Sequence, residues 1–235
     1  EFRRVLFRSH GGYIPWDDDI DVEMLREDYE KLTELLKSEK DIDFYPEFIH
    51  SKKDCNIFLK IRHKKISGIF IDIFPLDELG DILTNDQRRI LSIKMKIYRH
   101  SLNNKISKYI KNGNEAELLK FIDEKRKTFL KPHIENSDYV WGLDFEHKRH
   151  KYLIFPHSTY FPLKKIAFEN TEFYCPNKTK EFLSEVFGDY MAWPTKLYTH
   201  HLRFPKNKTL KGYYGEETFI ELEKYLQTNL EELTK

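Results

Sequence analysis

Four aspartates stand within five residues, at Asp17, Asp18, Asp19 and Asp21. Apolar residues frame them, with Ile14 and Trp16 before, Ile20 between, and Val22 and Met24 after. In a strand, alternate side chains share a face. Asp17, Asp19 and Asp21 then point one way, and Asp18, Ile20 and Val22 the other. Three carboxylates on one face repel one another unless cations sit between them. Hard oxygen donors of this kind suit Mg²⁺ or Mn²⁺. A second candidate lies in the apolar run Gly68 to Leu79, where Asp72 interrupts Ile69, Phe70, Ile71, Ile73 and Phe74. A lone ionised carboxylate in a buried strand is costly unless it is paired or binds a metal.

The elements that would position these groups can be read around them. Glu27 and Asp28 fit the first turn of a helix whose apolar stripe is Tyr29, Leu32, Leu35 and Leu36. Residues 43–50 and 57–63 have strand patterns, and the short link 64–68 predicts a hairpin into the Asp72 strand. Pro75 is expected to end that strand, leaving Asp77 as a turn or cap residue. In residues 58–62, Phe58, Lys60 and Arg62 share one face. Lys60 and Arg62 are either phosphate contacts, with Arg offering a bidentate fork, or an ordinary cationic strand face.

Residues 84–132 read as a helical hairpin. Thr84 with Gln87, and Asn114 with Glu117, have capping-box spacing, and Asn112-Gly113-Asn114 marks the turn. Its predicted stripes are Ile90, Ile93, Ile97, Tyr98 and Ser101, then Leu118, Ile122, Lys125 and Phe129. Two further strands flank Glu169-Asn170, and a short helix from Asn177 carries Phe182, Leu183, Val186 and Phe187 up to Gly188. The basic cluster 147–150 reads as a solvated charge run, and His200-His201 lacks further ligands at metal-binding spacing. A closing helix is expected from Thr218, with Phe219, Leu222, Leu226, Leu230 and Leu233 as its stripe.

Composition narrows the classes. Forty Lys and Arg against 39 Asp and Glu give a net charge of +1, which makes no case for a nucleic-acid surface. Aromatics at 15% argue against disorder. Cys55 and Cys175 stand far apart, without CxxC partners, so neither a disulfide framework nor a zinc site is expected. No apolar run reaches the roughly 20 residues of a membrane span. A reducing, cytoplasmic setting is the expectation.

The stretch HGGYIPWDDDIDVEMLREDYEKL, His10 to Leu32, closely resembles the signature of the LicD family, relatives of fukutin with a polymerase-beta-type nucleotidyltransferase fold. The block FIDIFPLD and the run from Tyr160 to Thr195 extend the resemblance, with Phe187 and Trp193-Pro194-Thr195 departing from its pattern. The resemblance implies one α/β (α+β) domain over 10–235: a mixed sheet bearing the carboxylates, backed by helices, with the hairpin of 84–132 inserted. It implies a phosphotransferase that moves phosphocholine or a related phospho-alcohol or phospho-sugar. The donor would be CDP-linked and the acceptor a hydroxyl of a cell-surface or lipid-linked glycan such as teichoic acid, lipopolysaccharide or capsule. Asp19, Asp21 and Asp72 would be catalytic and hold Mg²⁺ or Mn²⁺, assisted by Asp17. Gly11, Gly12, Trp16, Lys60 and Arg62 would contact substrate. The protein would work in the cytoplasm, at the inner face of the membrane if it touches a membrane at all. A nucleotidyltransferase releasing pyrophosphate and a non-catalytic scaffold of the same fold are the alternatives. Residues 1–9 do not fit the family pattern. Arg3 to Ser9 read as a translated sequencing adapter joined to a truncated chain, and loss of the upstream glycine-rich element would weaken donor binding.

Overall fold

The computed structural model describes residues 20–38, 44–50, 57–63, 70–144, 153–168 and 171–190. Its centre is β4 (Phe70–Glu78), the longest described strand. Strand β1 (Asp21–Leu25) runs parallel to it, with Asp21 opposite Asp72 and Leu25 opposite Leu76. Strand β3 (Ile57–His63) runs antiparallel along the first half of β4, pairing Lys60 with Asp72 and Arg62 with Phe70. Strand β2 (Phe44–His50) pairs with β3, while β5 (Tyr139–Trp141) pairs with Leu76–Glu78 and then with β6 (Ile154–Phe155). The result is a mixed six-stranded sheet.

Pro75 does not end β4. It sits inside the strand, opposite Met24. Pairing with β3 stops at Ile73 and pairing with β5 begins at Leu76, so the missing proline N–H falls where no ladder bond is needed. Ile57, which the β3 register sets against Pro75, sends its N–H instead to the Asp144 carbonyl at 2.8 Å.

Helices cover one face of the sheet. Helix α1 (Arg26–Ser38) has Glu27 and Asp28 in its first turn and Lys37 in its last, which complements the helix dipole. Tyr29 packs with Leu59 and Ile73, and Leu32 and Leu36 lie beside them, but Leu35 is exposed. The hairpin is α2 (Asn85–Asn112) and α3 (Glu115–Arg126). Thr84 makes the predicted reciprocal capping box with Gln87. Gly113 adopts φ 70° at the turn, a left-handed conformation in which glycine carries no Cβ penalty. Asn114 makes no backbone cap, because its amide donates to Glu117 Oε2 at 3.2 Å. Leu118, Phe121 and Ile122 close on Ile106, Ile110 and Ile57. The predicted stripe of Ile90, Ile93 and Ile97 does not pack. The buried residues of α2 are Ser92, Met95, Arg99, Ile106 and Ile110.

On the other face, the cover among the described residues lies beside β5 and β6. There the short helix α4 (His157–Tyr160) and helix α5 (Thr179–Phe187) bury Tyr160, Phe182, Leu183 and Val186 against Leu76, Tyr139, Trp141 and Phe155. Asn177 does not cap α5. Its amide bonds to the Ser158 and Phe161 carbonyls, tying the two helices together. Gly188 stops α5 at φ 72°, as its position predicts. Strands β7 (Lys164–Phe168) and β8 (Thr171–Cys175) form the separate predicted hairpin. Among the described residues, no helix is long and apolar enough to cross a membrane.

Candidate active site

Paired residues on neighbouring strands share a face, so the register alone assembles a charged row. Lys60, Asp72 and Asp21 stand side by side across β3, β4 and β1. All three are buried, at 5%, 5% and 8% exposure, so water does little to separate their charges. Lys60 Nζ lies 2.5 Å from Asp72 Oδ1 and 3.4 Å from the centroid of the Phe70 ring. Arg62 shares this face, its guanidinium carbon 5.3 Å from the same ring. The β1 alignment extends one residue upstream, since the Asp72 N–H donates to the Ile20 carbonyl at 2.8 Å.

One pleat further along, Phe58 and Phe74 stack with centroids 4.8 Å apart, and Glu23 stands opposite Phe74. Glu23 Oε1 accepts from the Trp141 indole and from the Tyr160 hydroxyl, the latter at 3.3 Å. Burial pushes the Glu23 carboxyl up to about 8; the two donors pull it down and the Asp21 charge raises it further. Tyr160 is pushed up by burial and by Glu23 in turn. Strand alternation from Asp21 points to Glu23 as a member of this face. Trp141 and Tyr160 could not be placed from sequence, because they arrive from β5 and α4.

Behind the row, on the helix-covered face, lies a second ionic cluster. Asp77, 1% exposed, accepts from Arg26 Nε at 2.7 Å, Arg26 Nη2 at 2.9 Å and Arg126 Nη1 at 2.8 Å. Arg26 also donates to both Asp144 oxygens, at 3.1 and 2.5 Å. Burial opposes its charge, but Asp144 and Asp77 outweigh that and hold its pKa well above the ordinary arginine value. Asp77 is therefore neither a turn nor a cap residue. It is a buried structural carboxylate that fastens the start of α1 to β4 and α3.

The expected site residues thus divide. Asp21, Asp72 and Lys60 come together, with Arg62 on the same face. Asp17, Asp19, Gly11, Gly12 and Trp16 lie outside the described residues. No three His, Cys, Asp or Glu side chains converge in a metal-binding arrangement among the described residues. Asp21 and Asp72 nonetheless fit a hard divalent cation in donor type. They are adjacent buried carboxylates, with the Lys60 ammonium on Asp72.

Residues 7–110 match the nucleotidyltransferase domain described as LicD/FKTN/FKRP. Over 209 residues the chain is 27% identical to the lipopolysaccharide cholinephosphotransferase LicD of Haemophilus influenzae, covering 79% of this chain and 78% of that protein. Residues 7–110, which include the paired strands β1 and β4 with Asp21 and Asp72, are thus similar to a nucleotidyltransferase domain, and the likeness to LicD runs over most of the chain.

Proposed function

We propose that this protein transfers phosphocholine, or a closely related phospho-alcohol, from a CDP-linked donor to a hydroxyl of a lipopolysaccharide or similar cell-surface glycan. The observation that carries the reading is the pairing of Asp21 with Asp72 on adjacent strands, buried, on one face, with Lys60 in contact with Asp72. The cholinephosphotransferase relative supplies the substrate class. In the reaction, the acceptor oxygen bonds to the choline-bearing phosphorus, CMP departs with the bridging oxygen, and the hydroxyl loses its proton.

Asp21 and Asp72 would hold Mg²⁺ or Mn²⁺, with Asp19 completing the set and Asp17 beside it. The metal, when bound, supplies charge neutralisation at the pyrophosphate and the leaving group. Asp72, at the centre of the row, is the carboxylate placed to orient or accept the acceptor proton. Lys60 offsets one carboxylate charge, so two acids do not face each other unshielded. Arg62 adds a fixed positive charge on the same face for donor phosphate. Gly11, Gly12 and Trp16 are assigned to donor contact by the family resemblance. Work at the cytoplasmic face of a membrane fits an acceptor glycan carried on lipid.

The family description favours one rival, nucleotidyl transfer with release of pyrophosphate. The products decide. CMP from CDP-choline with Mg²⁺ and a glycan acceptor supports phosphocholine transfer, and pyrophosphate from CTP supports the rival. Metal-independent donor binding with neither product would leave a scaffold and refute both.

A further inference from the structure

The helix expected to bury Ile90, Ile93 and Ile97 leaves them at 53%, 46% and 66% exposure. Single exposed apolar residues are ordinary, but these three form one stripe at i, i+3 and i+7 of α2. Ile82, just upstream of the helix, is 59% exposed. The stripe borders a cavity of about 320 Å³ lined by Leu83, Ile90, Leu91 and Phe129 together with Lys94 and Lys131.

The charge of α2 is one-sided. Its 28 residues hold eight Lys and Arg and one carboxylate, Asp86. Arg99 is buried and donates to the Leu143 carbonyl, and Arg88 pairs with Asp138. At 3.6 residues per turn, Lys94, Lys108 and Lys111 fall on the isoleucine side of the helix, with Arg89 and Lys105 on its flanks. The apolar part occupies the first turns and the basic part continues to the C-terminal end.

We propose that this face of α2 docks on an anionic phospholipid bilayer, with Ile90, Ile93 and Ile97 in the acyl boundary and the lysines among the headgroups. A 28-residue helix with an apolar stripe and flanking lysines suits a flat, negatively charged interface. Lysine stems can lie along apolar surface while their ammonium groups reach the headgroups. The inference concerns a surface opposite in character to the carboxylate row, and it does not depend on which group is transferred.

Flotation of the full chain with vesicles provides the test. The chain should float with equal parts phosphatidylglycerol and phosphatidylcholine, and not with phosphatidylcholine alone. Raising the salt should weaken the interaction. Ile93→Glu/Ile97→Glu, and separately Lys108→Glu/Lys111→Glu, should each reduce bound protein about tenfold or more. Their melting temperature and sedimentation coefficient should match wild type, and Ile93→Leu/Ile97→Leu should bind normally. Equal flotation of wild type and both charge variants overturns the proposal, as does failure of wild type to float. A lowered melting temperature or a dissociated oligomer in Ile93→Glu/Ile97→Glu overturns it too, because the stripe would then be covered by protein.

Discussion

Asp72 and Asp77 lie five residues apart on one strand and meet opposite fates. The odd spacing turns them to opposite faces of the sheet. Asp77 receives three hydrogen bonds from two arginines, and Arg26 carries a second carboxylate, Asp144, in the same cluster. Charge there is balanced: two guanidinium groups against two buried aspartates. Asp72 shares its row with Asp21, Lys60 is the cation in contact with Asp72, and Arg62 lies on the same face. Glu23 shows a third solution, a half-buried carboxyl pushed toward its neutral form. A neutralised cluster stabilises a fold. Two adjacent buried carboxylates on one face are the donor set that a metal-assisted phosphoryl transfer site would use.

The comparison predicts that asparagine at the two kinds of site fails differently. Asp21→Asn and Asp72→Asn should each cut transfer by roughly 1000-fold or more, and the melting temperature of Asp21→Asn in EDTA should hold or rise, because repulsion with Asp72 is relieved as a metal ligand is lost. Asp77→Asn should instead lose about 3–5 kcal/mol of stability, since Arg26 and Arg126 keep buried charges with a weaker acceptor. Denaturant melts beside CMP-release assays separate the two. Normal stability with no activity in Asp77→Asn would erase the distinction.

Arg26→Met comes next and acts on stability alone. It removes two of the three hydrogen bonds to Asp77 and both Arg26 bonds to Asp144, so the loss should reach the upper part of the same range of about 3–5 kcal/mol. An unchanged denaturation midpoint would mean that the cluster is idle. Lys60→Met should fall at the lower end, near about 3 kcal/mol, by leaving Asp72 and Asp21 to face each other. Its sharper signature is recovery. Added Mg²⁺ should raise the melting temperature of Lys60→Met more than that of wild type, because the metal can take over the missing positive charge. An equal Mg²⁺ shift in both proteins would detach Lys60 from the metal reading.

Much of the carboxylate row was legible in the sequence. Alternation marks Asp21 and Glu23 as sharing a face, and an aspartate inside an apolar strand announces Asp72. The hairpin from β3 into β4, which sets Lys60 against Asp72, follows from a short link between two strand patterns. The structural side was hidden. Arg26 and Asp144 are 118 residues apart, and no local periodicity reports a pairing made by tertiary contact. Pro75 misled because a proline usually ends a strand, and here it falls where one partner strand has stopped and the next has not begun. The α2 stripe misled because periodicity reports amphipathicity and is silent on what the apolar face meets.

The smallest effect expected comes from Gly142, which follows Trp141 at the end of β5. A Cβ built there would lie 2.1 Å from Asp77 Oδ2, 2.7 Å from Asp144 Oδ2 and 2.9 Å from Arg26 Nη2. The first of these separations is impossible and the others are too tight, so the ionic cluster must shift. Flexible side-chain tips normally give way at little cost, but these are pinned to one another by five charge-assisted hydrogen bonds. Gly142→Ala should therefore cost about 1–3 kcal/mol, the usual penalty of overpacking, and less than removing Arg26. Paired with Arg26→Met, the two losses should fail to add, because a cluster already dismantled leaves room for the methyl group. Strict additivity in that double variant would show that the glycine is required for some reason other than the buried charges beside it.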